Sequence, residues 1–261
     1  CSEFVLRELN FLNKNSIRYF LIKVNGLLCK IFEKYILKNA NIVTAVSEFD
    51  KNIYETINTK SKIKLFSNTV DLKRYKKKYP IKKKIKNPSI LLLGSYGNKF
   101  SPMNRARQWL VNSIMPLVWK KNQDIHLYIV GRNAFLSNDI KPSKKVSIHS
   151  NVISTIPYLQ KCNILVIPLK HESGTRFKII EAGACKIPCI STELGAEGLN
   201  ISHNQHLLIS NEEKEFAKNI LDLIDNSDLS DFLSSNLYEL VSKNYSLINQ
   251  EKEGIDILNS I

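Results

Sequence analysis

The run Asn163-Ile164-Leu165-Val166-Ile167 is the feature that most limits what this chain can become. It is short, apolar and β-branched, and it passes through a turn into a helical pattern beginning near Arg176, which predicts a parallel strand covered on both faces. Gly174 and Thr175 in that turn let backbone N–H groups approach a ligand closely. Arg176 and Lys178 add two positive charges beside the positive end of the helix dipole, an arrangement that favours a phosphate or diphosphate. About one turn further along, Glu181 lies within reach of the same mouth, where a carboxylate can accept hydrogen bonds from ribose hydroxyls. A strand, a turn and a helix with a single glycine are ordinary in doubly wound folds, so Gly94 or Gly131 alone carries little weight. The cluster Gly174-Thr175-Arg176-x-Lys178-x-x-Glu181 carries more, because a first helical turn normally prefers acids and this one holds two bases.

Strand and helix patterns alternate through the second half. Strands are predicted over Ile90–Leu93, Leu127–Val130, Val146–His149, Ile164–Ile167, Cys189–Ser191 and Leu207–Ile209. Helices are predicted over Arg105–Trp119, Ile156–Gln160, Arg176–Ala184, Glu213–Asp225, Leu229–Lys243 and Leu247–Leu258. This alternation predicts an α/β class with a doubly wound, Rossmann-like sheet of about six parallel strands. Upstream, Glu3 to Ala40 reads as one helix, Ile42 to Val46 and Lys62 to Phe66 as strands, and Ser47 as the N-cap of a helix reaching Thr56. Lys73, Arg74, Lys76, Lys77, Lys78, Lys82, Lys83, Lys84 and Lys86, with Pro80 and Pro88, read as a solvated basic linker. The organisation expected is a partial N-terminal α/β domain over 1–78, the linker over 79–88, a doubly wound, Rossmann-like domain over 89–245 and a last helix over 246–261.

Composition narrows the function classes. With 261 residues, 43% of them hydrophobic, the chain can bury a sizeable core. No apolar run approaches the roughly 20 residues of a membrane span, and no secretory leader pattern opens the chain, so a cytoplasmic protein is expected. The five cysteines fit a reducing compartment. Cys185-x-x-x-Cys189 and His203-x-x-His206 lack further ligands at metal-site spacing, and Asp228 is a candidate helix cap. The formal charge of +14 raises the question of an anionic partner, but no zinc finger, arginine-rich recognition helix or aromatic RNA-binding strand accompanies it, so no nucleic-acid partner is expected. Within the first helix, Ile17, Phe20, Leu21, Val24, Leu27, Leu28, Ile31, Phe32, Tyr35 and Ile36 recur at three- and four-residue steps between Arg18, Lys23, Lys30, Lys34 and Lys38. That pattern suits either a helix packed on a sheet or one lying on an anionic membrane surface.

The segments Gly174 to Ala182, Ile187-Pro188-Cys189-Ile190-Ser191-Thr192 and Gly195-Ala196-Glu197-Gly198-Leu199 resemble the donor-site signature of GT-B glycosyltransferases of the retaining group 1, family 4 type. Leu92-Leu93-Gly94-Ser95, Asn104 to Trp109, Met115-Pro116, Leu127 to Gly131 and Tyr158-Leu159 fall in the family's order. Asn41 to Glu48, Ser67 to Asp71, and Arg7 with Asn10 are similar to its upstream stretches. The resemblance implies a retaining, metal-independent transferase taking a sugar from a nucleotide diphosphate donor, with no further cofactor. It implies that Arg176 and Lys178 neutralise the departing diphosphate, that Gly174 and Thr175 bind phosphates, and that Glu181 holds the ribose. Gly94, Ser95, Gly131 and Arg132 are implied donor contacts from the facing loops. A glutamate common eight residues before the Glu181 position is Ser173 here, as in one branch of the family, with Glu172 beside it. The implied partners are the sugar donor, a glycan or lipid-linked acceptor of surface polysaccharide assembly, and an anionic inner membrane face. The alternative is a non-catalytic nucleotide-sugar-binding module left by shortening of the acceptor domain. A dinucleotide-dependent oxidoreductase is disfavoured because Gly94-Ser95-Tyr96-Gly97 does not continue into Gly-x-Gly-x-x-Gly.

Overall fold

Two all-parallel sheets organise the computed structural model, which describes residues 2–57, 60–80, 84–97, 101–135, 140–170 and 177–260. In the first segment α1 (Ser2–Arg7) and α2 (Ile17–Asn39) precede β1 (Ile42–Ala45), α3 (Glu48–Thr56), β2 (Lys62–Leu65) and α4 (Leu72–Lys76). The main sheet begins with β3 (Ser89–Ser95), followed by α5 (Pro102–Trp109), α6 (Met115–Lys121), β4 (His126–Arg132), β5 (Val146–Ser150) and α7 (Ile156–Leu159). Next come β6 (Ile164–Ile167), α8 (Phe177–Cys185), β7 (Cys189–Ser191), α9 (Glu193–Ala196) and β8 (Leu208–Ile209). Three helices close the chain, α10 (Glu213–Asp225), α11 (Ser227–Asn244) and α12 (Leu247–Leu258).

Strands β1 and β2 pair with each other, while the other six lie in the order β5-β4-β3-β6-β7-β8. Parallel strands need crossovers, and in the larger sheet helices occupy those from β3 to β4, β5 to β6, β6 to β7 and β7 to β8, while the described residues between β4 and β5 form none. Ile90, Leu91, Leu92, Ile164 and Leu165 are fully buried, which accounts for the unbroken apolar runs that replace any alternation. The expected doubly wound α/β sheet of six parallel strands is therefore what the chain forms.

Four local expectations are corrected. The stretch from Glu3 to Ala40 is not one helix: α1 passes through a 3-10 turn at Glu8–Phe11, and α2 starts afresh at Ser16, whose side chain accepts from Tyr19 N at 3.1 Å. Asn13 causes the break by taking local partners, accepting from Asn15 N through Oδ1 (3.0 Å) and from Ser16 Oγ through its carbonyl (2.7 Å). The basic run does not begin as a solvated loop. Asp71 caps α4 by accepting from Lys73 N at 2.9 Å, and Tyr75 on that helix is only 7% exposed. Asn226, and not Asp228, caps α11, its Oδ1 accepting from Leu229 N at 3.0 Å. Between α5 and α6 the predicted single helix holds a π turn at Leu110–Ile114, with Met115 N donating to Leu110 O. Pro116 follows at once, and the wider turn accommodates a residue that has no N–H to give and whose ring would press on the preceding turn.

The apolar stripe of α2 is turned outward, with Ile17 80% and Phe20 65% exposed. Among the described residues no helix is long and apolar enough to cross a membrane. The last helix returns to the smaller sheet: Glu253 accepts from Ser67 N (2.7 Å) and Oγ (2.9 Å), and Lys64 Nζ meets Asp256 Oδ2 at 2.8 Å. Val70 N donates to Tyr245 O at 2.9 Å, just before that return.

Helix α8 is held against α11 by close backbone approach at Gly183. A Cβ there would lie 2.6 Å from Val241 Cγ2 and 3.0 Å from Leu237 O. Gly183→Ala is therefore expected to push α8 off α11 and to destabilise by about 1–3 kcal/mol, a typical cost of overpacking. Thermal unfolding monitored by circular dichroism measures it, and an unchanged midpoint would show that the two helices are not in register at this glycine.

Candidate functional site

The chain reverses its winding between β3 and β6, because β3 leads outward to β4 and β5 on one side and β6 to β7 and β8 on the other. Loops leaving the carboxyl ends of β3 and β6 must part there, and the crevice they leave is where open α/β sheets bind ligands. Gly94 and Ser95 end β3, in register with Gly131 and Arg132 at the end of β4. Gly131 has φ 141°, and a Cβ on it would overlap the carbonyl oxygen of Gly94, so the two strands can end this close together only with glycine at that place. Ser95 and Arg132 are exposed at the sheet edge.

Two buried side chains brace these loops. Arg107 on α5 is 0% exposed, donates from Nη1 to Ala134 O at 2.9 Å and stacks over Tyr96 with 5.1 Å from Cζ to the ring centroid. It thus ties the loop after β3 to the loop after β4. Asn104, one turn earlier, donates from Nδ2 to Gly97 O at 3.1 Å. Arg107 and Tyr96 were not among the residues singled out from sequence as site residues, since nothing in a pattern distinguishes a buried arginine on a helix from an exposed one.

From the other side of the crevice comes α8. Gly174, Thr175 and Arg176 fall outside the described residues, as do Glu172 and Ser173. Lys178 lies in the first turn of α8 and reaches toward β3, its Nζ 3.8 Å from Met103 Sδ. Met103 in turn lies directly against Gly94. The structure therefore brings Lys178 and Gly94 to the same methionine side chain.

Glu181, one turn further along α8, is half-buried, and its Oε1 accepts a hydrogen bond of 2.7 Å from the Tyr75 hydroxyl. Burial raises the Glu181 pKa above the ordinary carboxylate range, while the Tyr75 hydrogen bond and the charges of Lys178 and Arg74 pull it back down. Tyr75 itself is shifted upward, first by burial and then by the adjacent carboxylate, so it remains a donor at any ordinary pH. The sequence held a signal for this contact in an aromatic residue set within a run of bases, at the end of the turn that Asp71 caps.

Arg7 closes a third side, with Nη1 lying 2.8 Å from both carboxylate oxygens of Glu197 in the loop after α9. Thr192 caps the start of α9, Gly195 N donating to its Oγ1 at 3.0 Å. His203 and His206 serve their own turn: their Nδ1 atoms accept from Ile209 N (2.8 Å) and Ser202 N (3.0 Å). Among the described residues no group of three or more His, Cys, Asp or Glu could hold a metal ion.

A family model described as "Glycosyl transferases group 1" matches residues 87–226. A 44.6 kDa protein in the cps region of Klebsiella pneumoniae is 31% identical over 163 residues, an alignment taking in 57% of this chain and 41% of that protein. Among solved structures, Anabaena Alr3699/HepE in complex with UDP and glucose superimposes with a TM-score of 0.69 at 12% identity, covering 89% of this chain and 66% of that one. Sucrose-phosphate synthase from Thermosynechococcus elongatus superimposes with a TM-score of 0.67 at 18% identity, covering 88% and 60% respectively. The chain thus spans less than two thirds of the length of each of these relatives.

Removing the Tyr75 hydroxyl takes away a donor that favours the ionised form of Glu181. Tyr75→Phe is expected to move the Glu181 titration midpoint to higher pH, followed by carboxyl 13C NMR. A midpoint that stays where it was would mean that the phenol does not hold this carboxylate.

Proposed function

Because this chain belongs to the group 1 glycosyl transferases and has the GT-B fold of their structural relatives, we propose that it moves a sugar from a nucleotide diphosphate donor to a glycan or lipid-linked acceptor with retention of configuration. The observation that carries this reading is the convergence at the winding reversal of Gly94, Lys178 and the tyrosine-held Glu181. In the proposed reaction, negative charge grows on the diphosphate as its bond to the sugar breaks. Lys178, with Arg176 beside it in sequence, neutralises that charge, and interactions that strengthen as charge develops lower the barrier. Backbone N–H groups near Gly94, Ser95, Gly174 and Thr175 are assigned to the phosphates and the sugar, and Gly131 and Arg132 to the same donor from the end of β4. Glu181 is assigned to the ribose hydroxyls, and Tyr75 holds the carboxylate in orientation for them. No metal takes part in this proposal, since lysine and arginine supply the positive charge.

The bound UDP and glucose of the Anabaena relative support a nucleotide sugar as donor. The cps-region relative from Klebsiella supports a role in polysaccharide assembly.

Lys178→Ala and Arg176→Ala are each expected to weaken UDP binding by about 1.5–3 kcal/mol, the worth of a charge-assisted contact, while leaving uridine binding little changed. Glu181→Gln should instead weaken both. Isothermal titration calorimetry separates the cases, and equal losses for UDP and uridine in the lysine variant would remove Lys178 from the diphosphate.

The outward stripe of α2, with Lys23, Lys30, Lys34 and Lys38 beside it, supports a place at the inner face of a membrane, each well-positioned base adding about 1 kcal/mol of attraction to anionic lipid. The protein is expected to co-sediment with anionic vesicles at low ionic strength and to release as salt rises. Sedimentation indifferent to both lipid charge and salt would overturn the membrane assignment and leave the donor assignment untouched.

A further inference from the structure

At the end of α8 remote from the crevice, Ala184, Cys185 and Lys186 form one wall of a pocket of about 510 Å³. Lys76, Lys78, Lys161 and Lys186 line it together with Tyr79, Tyr238 and Tyr75, the residue whose hydroxyl holds Glu181, and no carboxylate is among its described lining residues. Lys76 and Lys186 stand over the same ring, 5.7 and 4.6 Å from the centroid of Tyr238 on α11. Among the described residues none of the four lysines forms an ion pair. The Tyr238 pKa is lowered, first by its hydrogen bond with Lys76 and further by the charges of Lys76 and Lys186.

The backbone around the pocket is fixed. Gln160 Nε2 donates to Tyr75 O at 2.8 Å and to Lys77 O at 2.7 Å, pinning the stretch that carries Lys76 and Lys78. Lys186 takes φ 55° immediately after α8, with its N–H donating to Gly183 O at 3.0 Å, at a position where glycine or asparagine is usual. A lysine held in that conformation brings its charge onto the pocket wall.

We propose that this pocket binds a phosphate-bearing anion, at a second site that shares Tyr75 with the donor crevice at the other end of α8. Several ammonium groups converging on one volume suit phosphate oxygens, which accept charge-assisted hydrogen bonds from each. The volume exceeds what a bare phosphate fills and lies within the range of small-molecule sites, so an organic portion of the ligand has room to cover Tyr238 and Tyr79. Phosphate of this kind reaches a protein either free, as in a soluble phosphate ester or diphosphate, or on a lipid headgroup.

Lysine acetylation by an activated ester, read residue by residue by peptide mass spectrometry, tests the proposal on the whole chain. The probes are inorganic pyrophosphate at constant ionic strength, and phosphatidylcholine vesicles with and without phosphatidic acid. Protection of Lys76, Lys161 and Lys186 beyond that of the exposed Lys120 is expected, and Lys178 reports the donor crevice separately in the same digest. Protection by pyrophosphate assigns a soluble phosphate; protection by phosphatidic acid vesicles alone assigns a lipid headgroup. Lys186→Gln should raise the probe concentration needed to protect Lys161 by roughly tenfold, the effect of losing one charge-assisted contact. No protection by either probe, or protection that Lys186→Gln leaves unchanged, overturns the site.

Discussion

Burial of β3 on both faces is the constraint from which the rest of the molecule follows. Ile90, Leu91 and Leu92 are fully buried and the buried Ser89 hydroxyl is taken up by Asn87 and Asn163, so the chemistry of the strand is left to its carboxyl end. Parallel pairing sends β4 and β6, its two neighbours, to the same edge as that end. Glycine at 131 then permits the two strand ends to meet where a side chain would strike the Gly94 carbonyl, and glycine at 94 leaves room for the Met103 side chain. The candidate site is thus a product of the sheet, and the bracing by Arg107 and Asn104 keeps the loops where the strands deliver them.

Glu181 shows how burial and pairing compete within such a site. Withdrawing a carboxylate from water favours its neutral form, which would make it a poor acceptor for hydroxyls. The phenol of Tyr75 and the charges of Lys178 and Arg74 act in the opposite direction. Tyr75 does so from a five-residue helix on the segment before β3, far from Glu181 in sequence. A segment that composition marks as solvent-facing therefore carries a structural contact to the site.

That contact marks the boundary of what the sequence made legible. Ile164 to Ile167 and the helical pattern after it are local, and local patterns foretold the six parallel strands together with β6 and α8, while the turn between those two lies outside the described residues. The break at Asn13 was not legible, because the apolar recurrence on either side of it continues in phase while the side-chain hydrogen bonds that interrupt the helix leave no trace in periodicity. The helix at Leu72–Lys76 was hidden for a different reason: charge dominated the reading, whereas a single capping aspartate and one buried tyrosine decided the outcome. Arg107 and the pairing of Arg7 with Glu197 depend on positions distant in sequence being brought together, which no spacing within one segment encodes.

Helix α8 carries opposite electrostatics at its two ends, and the side chains around each end answer to that difference. Its N-terminus points a positive partial charge at the crevice, so a few bases there suffice to favour a diphosphate. Its C-terminus presents a negative partial charge, which by itself repels anions and attracts cations such as Lys186. A cation placed there for the helix alone would need no companions. Lys76, Lys78 and Lys161 nevertheless gather at the same end, from two other parts of the chain, with Gln160 donating both of its amide hydrogens to the carbonyls of Tyr75 and Lys77 beside the first two. Mutual repulsion among four ammonium groups works against that gathering, and their partial exposure to water softens the repulsion without removing it. An anion held between them reverses its sign, and this is the physical ground for treating the two ends of one nine-residue helix as separate anion-selective places.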